Sequence, residues 1–328
     1  MLRFGLVGAG VIGCRRASTL TDNGFLVAVS DISEKKLSNF SESHIEVFVD
    51  WRLMLDQVAL DAIIIATTHD VLAEITAEAL KRKIHVFVEK PAARCLTELK
   101  PVLNMAVDSD VIVRVGFNHR FHPAMIKAKE LLDDHVIGPL MFIRGRYGHG
   151  GRVGYDKEWR FDPHLSGGGE LIDQGPHLID LSRWFLGEEF VEVQGDVSTF
   201  YWDIKVDDNA FLHLSTETGK IAFLHVSCTE WKNLFSMEIY GKTGKIEING
   251  LGGSYGVEKI TLYKMLPEMG PPETFSWEYP MPDTSWKREI NSFVDDIINK
   301  RQSSPNLHDA YRALAVIDDI YGDRYDYS

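Results

Sequence analysis

The chain reads as an α/β protein. It predicts a doubly wound parallel sheet followed by an α+β domain built on a large, mostly antiparallel open sheet. Three observations carry this. Short β-rich apolar runs alternate with helix-length amphipathic segments through the first third. The first of those runs passes straight into a glycine-rich turn. After about residue 118 the alternation gives way to strands in meander order. The reading therefore divides the chain into residues 1–118 and 119–328.

The parallel portion comes first. Apolar runs at 2–7, 25–30, 62–66, 85–88 and 111–115 lack strict alternation, as expected of strands covered by helices on both faces. Segments 71–81 and 96–107 carry apolar residues at three- and four-residue spacing and read as the covering helices. In the second portion, 123–133 reads as a helix, 140–147 as a strand and 169–185 as a helix. Strand candidates then follow at 210–216, 220–227 and 235–240, the last ending in the turn Gly241-Lys242-Thr243-Gly244. Residues 267–282 read as a Pro-rich loop holding one strand, and 286–299 and 307–321 as closing helices. Ile221 and Phe223 alternate with Ala222, Leu224 and Val226, so both faces of that strand want cover. A second copy of the chain would cover one of them, which predicts a homodimer or homotetramer.

Composition sets the outer limits. The 328 residues are 45% hydrophobic and 25% charged, ordinary globular usage with material for two cores. With 35 basic and 48 acidic residues the net charge is −13, a field that repels phosphate backbones and anionic headgroups. Neither nucleic acid nor a membrane is an expected partner. Cys14, Cys95 and Cys228 form no C-x-x-C pair and no disulfide framework, which fits a reducing cytoplasm. Arg3 and the apolar stretch after it imitate an export signal, but glycines interrupt it and Arg15-Arg16 follow without a cleavage site. No apolar run reaches the ~18 residues of a membrane span.

The turn after the first strand is Gly8-Ala9-Gly10-Val11-Ile12-Gly13, a complete G-x-G-x-x-G opening a helix. Gly8 suits the tight turn, Gly10 lets backbone approach a pyrophosphate, and Gly13 permits close helix-to-strand packing. Amides at the helix start, including those of Val11 and Ile12, would hold the phosphates. Asp31 ends the second run, where a carboxylate bonds the adenosine ribose and repels a 2′-phosphate. NAD is therefore expected over NADP, although Lys35 and Lys36 stand close enough in sequence to meet a 2′-phosphate.

Two further clusters hold chemistry. Glu89-Lys90-Pro91 follows the run 85–88, and ligands of open α/β sheets bind outside the carboxyl ends of strands. Within Gly167-Gly168-Gly169-Glu170 and the helix after it, Glu170, Asp173, His177 and Asp180 share one helical face. Three readings of that face stay open on spacing alone. It is a solvated face, a metal site using Asp173 and His177 at i, i+4, or an acid-base pair. No further His or Cys pattern supports a metal, and Arg120 beside His119 and His122 argues against a cation there. In the span 144–160, Arg144, Arg146, Arg152, Lys157 and Arg160 outnumber Asp156 and Glu158, with Tyr155 and Trp159 adding aromatic surface. Such a loop suits an anionic sugar, a uronate or nucleotide sugar.

Taken together, Gly8 to Gly13, Glu89-Lys90-Pro91, Val115-Gly116-Phe117-Asn118 with Arg120, and Gly168-Gly169 through Asp173 and His177 resemble the Gfo/Idh/MocA oxidoreductases over nearly the whole chain. The resemblance implies an N-terminal Rossmann domain and a C-terminal domain whose open sheet mediates oligomers. It also implies hydride transfer between a sugar or nucleotide-sugar secondary alcohol and a nicotinamide. By position, Lys90, Asp173 and His177 match the family's catalytic Lys, Asp and His. Thr67, His69, Glu89 and Lys90 fall where its members meet the cofactor, and Asn118 and Arg120 lie in a matched motif; with Arg146, Trp159 and Arg160 of the basic loop they are the expected substrate contacts. One departure is Thr68-His69-Asp70, where many members have Pro-Asn and then His, with Leu72 at that last position. Relatives that hydrolyse glycosides by transient oxidation, and relatives that only sense NAD, are the alternatives the resemblance carries.

Overall fold

The computed structural model describes residues 1–20, 24–40, 44–107, 109–322, 324 and 325. In chain order the elements begin β1 (Leu2–Val7), α1 (Val11–Ser18), β2 (Gly24–Ser30), α2 (Glu34–Leu37), β3 (Glu46–Phe48), α3 (Trp51–Gln57) and β4 (Ala62–Ile65). Then come α4 (Leu72–Lys81), β5 (His85–Glu89), α5 (Leu96–Val107), β6 (Val113–Gly116), α6 (Pro123–Asp133), β7 (Leu140–Gly148), α7 (Pro163–Ser166) and α8 (Glu170–Leu186). The remainder is β8 (Phe190–Ser198), β9 (Asn209–Thr216), β10 (Ile221–Ser227), β11 (Leu234–Gly241), β12 (Gly244–Asn249), β13 (Glu258–Lys264), β14 (Glu273–Tyr279), α9 (Ser285–Asn299) and α10 (Leu307–Tyr321).

These elements form two compact units: Met1–Phe117 with Trp286–Tyr311, and Asn118–Ser285 with the chain from Arg312. Residues 286–311 thus group with the first unit and not with the rest of the chain after 118. The helix after Trp286 returns to the first unit because its apolar face completes that unit's core. Ile290, Phe293, Val294 and Ile297 pack with Phe4, Leu6, Val29, Ile64 and Phe87. Phe293 meets the rings of Phe87 and Phe4 edge-on, at 5.6 and 6.4 Å.

The first unit holds a parallel sheet in the order β3-β2-β1-β4-β5-β6. Its inner strands β4 and β5 are buried on both faces, which is why they lack alternation. The strand order reverses between β1 and β4, so the carboxyl ends of those two strands mark the ligand crevice of such a sheet. β3 has no counterpart in the sequence reading: Glu46-Val47-Phe48 is short, on the edge and largely exposed, so no apolar run announces it.

The second unit holds eight strands in the order β14-β13-β12-β11-β7-β10-β9-β8, antiparallel except for the β7–β10 pair. Gly241 opposite Gly244 closes the β11–β12 hairpin at the turn the sequence marks. β13 has no counterpart in the sequence reading, although Ile260 and Leu262 alternate with Thr261 and Tyr263. One sheet face carries Ile143, Leu212, Leu224, Met237 and Ile246, all buried, on the side covered by α8 and α6. The other face bears Arg144, Glu238, Lys245 and Tyr240 in a surface network, with Phe223 51% exposed.

Candidate active site

In the first unit the glycine turn is dictated by sterics. Gly8 has φ +94°, and a Cβ there would stand 2.3 Å from the Ala66 carbonyl oxygen after β4. A Cβ on Gly13 would stand 1.9 Å from the Gly8 oxygen, whereas one on Gly10 would meet nothing within 4 Å. The backbone at Gly10 is thus open to a ligand while its neighbours are packed. No side chain caps the start of α1 at Gly10, so its first amides are available to phosphate. Asp31 Oδ2 accepts from Ala9 N at 2.8 Å and Oδ1 from Ser33 N at 2.9 Å, which holds the turn to the end of β2. Lys36 Nζ lies 3.0 Å from Asp31 Oδ2. Val11 is exposed, Thr67 half-buried and His69 buried, at the same end of the sheet. These features fit a dinucleotide.

Glu89 ends β5, and the half-buried Lys90 follows it at the carboxyl edge. Arg16, on the helix that begins at the glycine turn, donates from Nε to Glu89 Oε1 at 2.5 Å and from Nη1 to Glu289 Oε2 at 2.5 Å. Its guanidinium lies between the Phe87 and Trp286 rings, 4.5 and 4.2 Å from their centroids. Burial, with Glu89 adding, pushes the Glu289 carboxyl up to about 7 even though Arg16 opposes the shift. Gly116 leaves room for this group, since a Cβ there would lie 2.8 Å from Glu89 Oε2. A surface groove lined by His85, Val113, Lys300 and Ser303 lies at the opposite, amino ends of β5 and β6.

In the second unit α8 carries the polar face the spacing predicted, and the face is buried rather than solvated. Glu170, Asp173, His177 and Asp180 are each no more than 7% exposed. The two glycines before α8 are fixed by what lies over them. A Cβ on Gly168 would stand 2.5 Å from Tyr321 Oη, and one on Gly169 would stand 2.0 Å from the Asp207 carbonyl oxygen. Asp207 then serves as a cap from outside the helix. Its carboxylate accepts from Gly169 N, Leu171 N and Tyr321 Oη, at 3.2, 2.8 and 2.8 Å, and its carbonyl accepts from Glu170 N at 2.9 Å. Burial raises the Asp207 carboxyl, against those hydrogen bonds.

Along α8, Asp173 Oδ2 accepts from Arg160 Nε at 3.2 Å, and Arg160 also reaches Glu158 at 3.2 Å. The Asp173 carboxylate raises the Arg160 guanidinium above its ordinary value despite burial. The His177 ring stacks on His119, with Tyr147 edge-on to both. Asp180 takes a two-pronged bond from Arg120 at 2.7 and 2.6 Å. Burial, helped by Tyr255, pushes the Tyr147 phenol well above its usual value, and burial lowers His149.

The predicted residues divide accordingly. Gly8 to Gly13 meet Asp31; Lys90 adjoins the Arg16 cluster; Asp173, His177 and Arg160 come together around α8, with Trp159 beneath the Arg160 guanidinium at 4.9 Å. Asn118 and Arg120 are buried and support His119 and Asp180. Arg146 is not brought to this face. Gly145 faces Leu178 of α8, so Arg144 and Arg146 project from the opposite side of β7. The local basic excess is largely paired: Arg144 with Glu238, Arg152 with Glu158, and Arg160 with Asp173. Arg16, His119, Tyr147, Asp207 and Glu289 were not legible as site residues, because each partner is remote in sequence. Among the described residues no group of three or more His, Cys, Asp or Glu is placed to hold a metal, and no helix is long and apolar enough to cross a membrane.

Known proteins share this fold. The chain is 33% identical over 227 residues to levoglucosan dehydrogenase of Pseudarthrobacter phenanthrenivorans, covering 61% of this chain and 58% of that one. It is 26% identical over 341 residues to inositol 2-dehydrogenase of Rhizobium meliloti, covering 97% and 95%. Among solved structures, levoglucosan dehydrogenase in complex with NADH and levoglucosan superposes with a TM-score of 0.85 at 22% identity, over 97% of this chain and 96% of that chain. Aldose-aldose oxidoreductase from Caulobacter crescentus gives 0.82 at 22% identity, over 98% and 96%. Residues 2–117 match the oxidoreductase family with an NAD-binding Rossmann fold, and residues 125–247 match the GFO/IDH/MocA C-terminal domain. With both halves matched in order, the chain belongs to the Gfo/Idh/MocA oxidoreductases, its first domain the family's NAD-binding Rossmann fold.

Proposed function

We propose that the protein is an NAD-dependent dehydrogenase acting on a secondary alcohol of a neutral sugar or cyclic polyol. The observation that carries this reading is the buried α8 face, where Asp173 and His177 stand one turn apart with Arg160 on the carboxylate. The relatives named for activity on levoglucosan and inositol support the substrate class. Neutral substrates are favoured over the anionic sugars expected from the loop charge, because Arg144, Arg152 and Arg160 are each already paired with a carboxylate.

Gly8, Gly10, Val11, Ile12 and Gly13 would hold the pyrophosphate, and Asp31 the adenosine ribose, which favours NAD over NADP. Thr67, His69 and Glu89 stand with them at the carboxyl ends of the strands. The nicotinamide, when bound, supplies a hydride acceptor or donor. His177 takes the hydroxyl proton of the substrate, the role an imidazole fills near neutral pH. Lys90 stabilises the negative charge developing on that oxygen. Asp173, held by Arg160, fixes a neighbouring hydroxyl. The open face of the second-unit sheet, with Phe223 exposed and Phe211 stacked on His225 at 4.3 Å, supports a homodimer or homotetramer, read by sedimentation.

The test is NADH accumulation with a panel of neutral cyclitols and anhydrosugars. His177→Ala should lose ~10² or more in turnover while NADH still binds. Wild-type turnover in that variant would remove His177 from the mechanism. Aglycone release without net NADH would indicate a glycosidase, and NAD binding with neither product a sensor.

A further inference from the structure

His119 and His177 lie face to face, ring centroids 3.8 Å apart and planes inclined by 21°. Each is 5% exposed. The stack is held on its edges. Tyr147 meets both rings edge-on, at 5.1 and 6.1 Å, and His122 meets His119 at 5.6 Å.

The hydrogen bonds around His119 set where its proton sits. Asn118 Nδ2 donates to Ser285 Oγ at 3.0 Å, and Ser285 Oγ donates to Asp283 Oδ1 at 2.6 Å. The Asn118 amide nitrogen is therefore engaged with Ser285, and its oxygen lies 3.2 Å from His119 Nδ1. An amide oxygen only accepts, so His119 carries a hydrogen on Nδ1. In its neutral form His119 carries that hydrogen on Nδ1 and offers its π face to His177.

Two imidazolium rings at this separation in a buried setting repel strongly, whereas one imidazolium against a neutral ring is attracted to its face. The charged groups on the flanking elements are paired among themselves: Asp173 with Arg160, Asp180 with Arg120, and His122 with Glu258. Tyr147 stays protonated, and the Glu170 carboxyl lies one turn before Asp173 on the same face.

We propose that His119 is a positioning residue for His177: it fixes the plane of that ring and makes the two imidazoles a unit that holds one proton. Its consequence for turnover rests on the reading of His177 as proton acceptor; the titration of the stack does not. A proton arriving from substrate would enter a ring already oriented and already provided with a neutral partner.

The experiment combines histidine-selective NMR titration of the whole protein with pH–rate profiles for wild type, His119→Phe and His119→Ala. In wild type the two rings take up protons in steps separated by more than about one pH unit. In His119→Phe, which keeps a flat ring but no second titrating group, His177 titrates in one step at a displaced midpoint. The acidic limb of kcat moves with it. His119→Ala loses about tenfold or more in kcat with the NADH Kd unchanged, and His119→Phe recovers most of that loss. An identical His177 titration in wild type and His119→Phe would overturn the proposal. So would an absence of proton uptake by either ring between about pH 5 and 8, or full turnover in His119→Ala. If His177→Ala proves fully active, the functional reading fails while the titrations still decide the stack.

Discussion

Arg16 Nε donates to Glu89 Oε1 at 2.5 Å from a guanidinium wholly closed to solvent. Through that bond the helix opening at the glycine turn grips the residue immediately before Lys90. Glu289 completes the group from α9, so one buried cation serves two carboxylates.

Removing the cation leaves two buried carboxylates to face one another. Arg16→Met should lower unfolding stability by about 3–5 kcal/mol, read from urea denaturation. The loss should shrink at acidic pH, where Glu289 is protonated. A variant as stable as wild type at pH 8 would mean that solvent reaches this group.

Glu289 makes stability depend on pH with a definite sign. Its carboxyl titrates near 7 in the folded chain, against an ordinary value of 4.5. The folded state thus holds a proton that the unfolded state has released between those values. Unfolding stability should fall as pH rises across that window, by an amount on the order of 3 kcal/mol, and this contribution should be flat above it. Glu289→Gln should abolish the slope. Calorimetry at several pH values reads both curves, and a slope that persists in Glu289→Gln would assign it to another group.

Gly169 tests the packing at the start of α8. The Cβ of alanine would meet the Asp207 carbonyl oxygen at 2.0 Å, and backbone cannot swing aside as a side chain does. Gly169→Ala should cost about 3 kcal/mol in stability and reduce kcat. Unaltered melting together with unaltered turnover would mean that Asp207 does not hold this helix.

Asp31 tests the cofactor preference. Asp31→Ala removes the carboxylate that repels a 2′-phosphate and releases Lys36. The ratio of kcat/KM for NAD to that for NADP should fall about tenfold or more. An unchanged ratio would place the discrimination elsewhere.

The parallel sheet was legible because its signals are short in range. An apolar run, a Gly8-to-Gly13 turn and an amphipathic helix such as α4 are each written in about a dozen consecutive residues. In that sheet only β3 left no pattern, being short and exposed; the meander was legible for the same reason, save β13. The site was half legible. Lys90, Asp173 and His177 sit in compact motifs, and the resemblance of those motifs to one family makes them candidates. Burial was not in the motif: Glu170, Asp173, His177 and Asp180 spell a polar face whether or not anything covers it.

By itself, then, the sequence determined the order and type of most elements, the glycine turn with its acidic partner, and the family. Only the tertiary structure decided that the helix after Trp286 belongs with the first unit, that Arg146 faces away from α8, and that Arg16 joins Glu89 and Glu289. It alone decided that His119 stacks on His177. The reason is range: helix periodicity, strand alternation and turn chemistry act over a few residues, whereas Arg16 finds its partners 73 and 273 residues away.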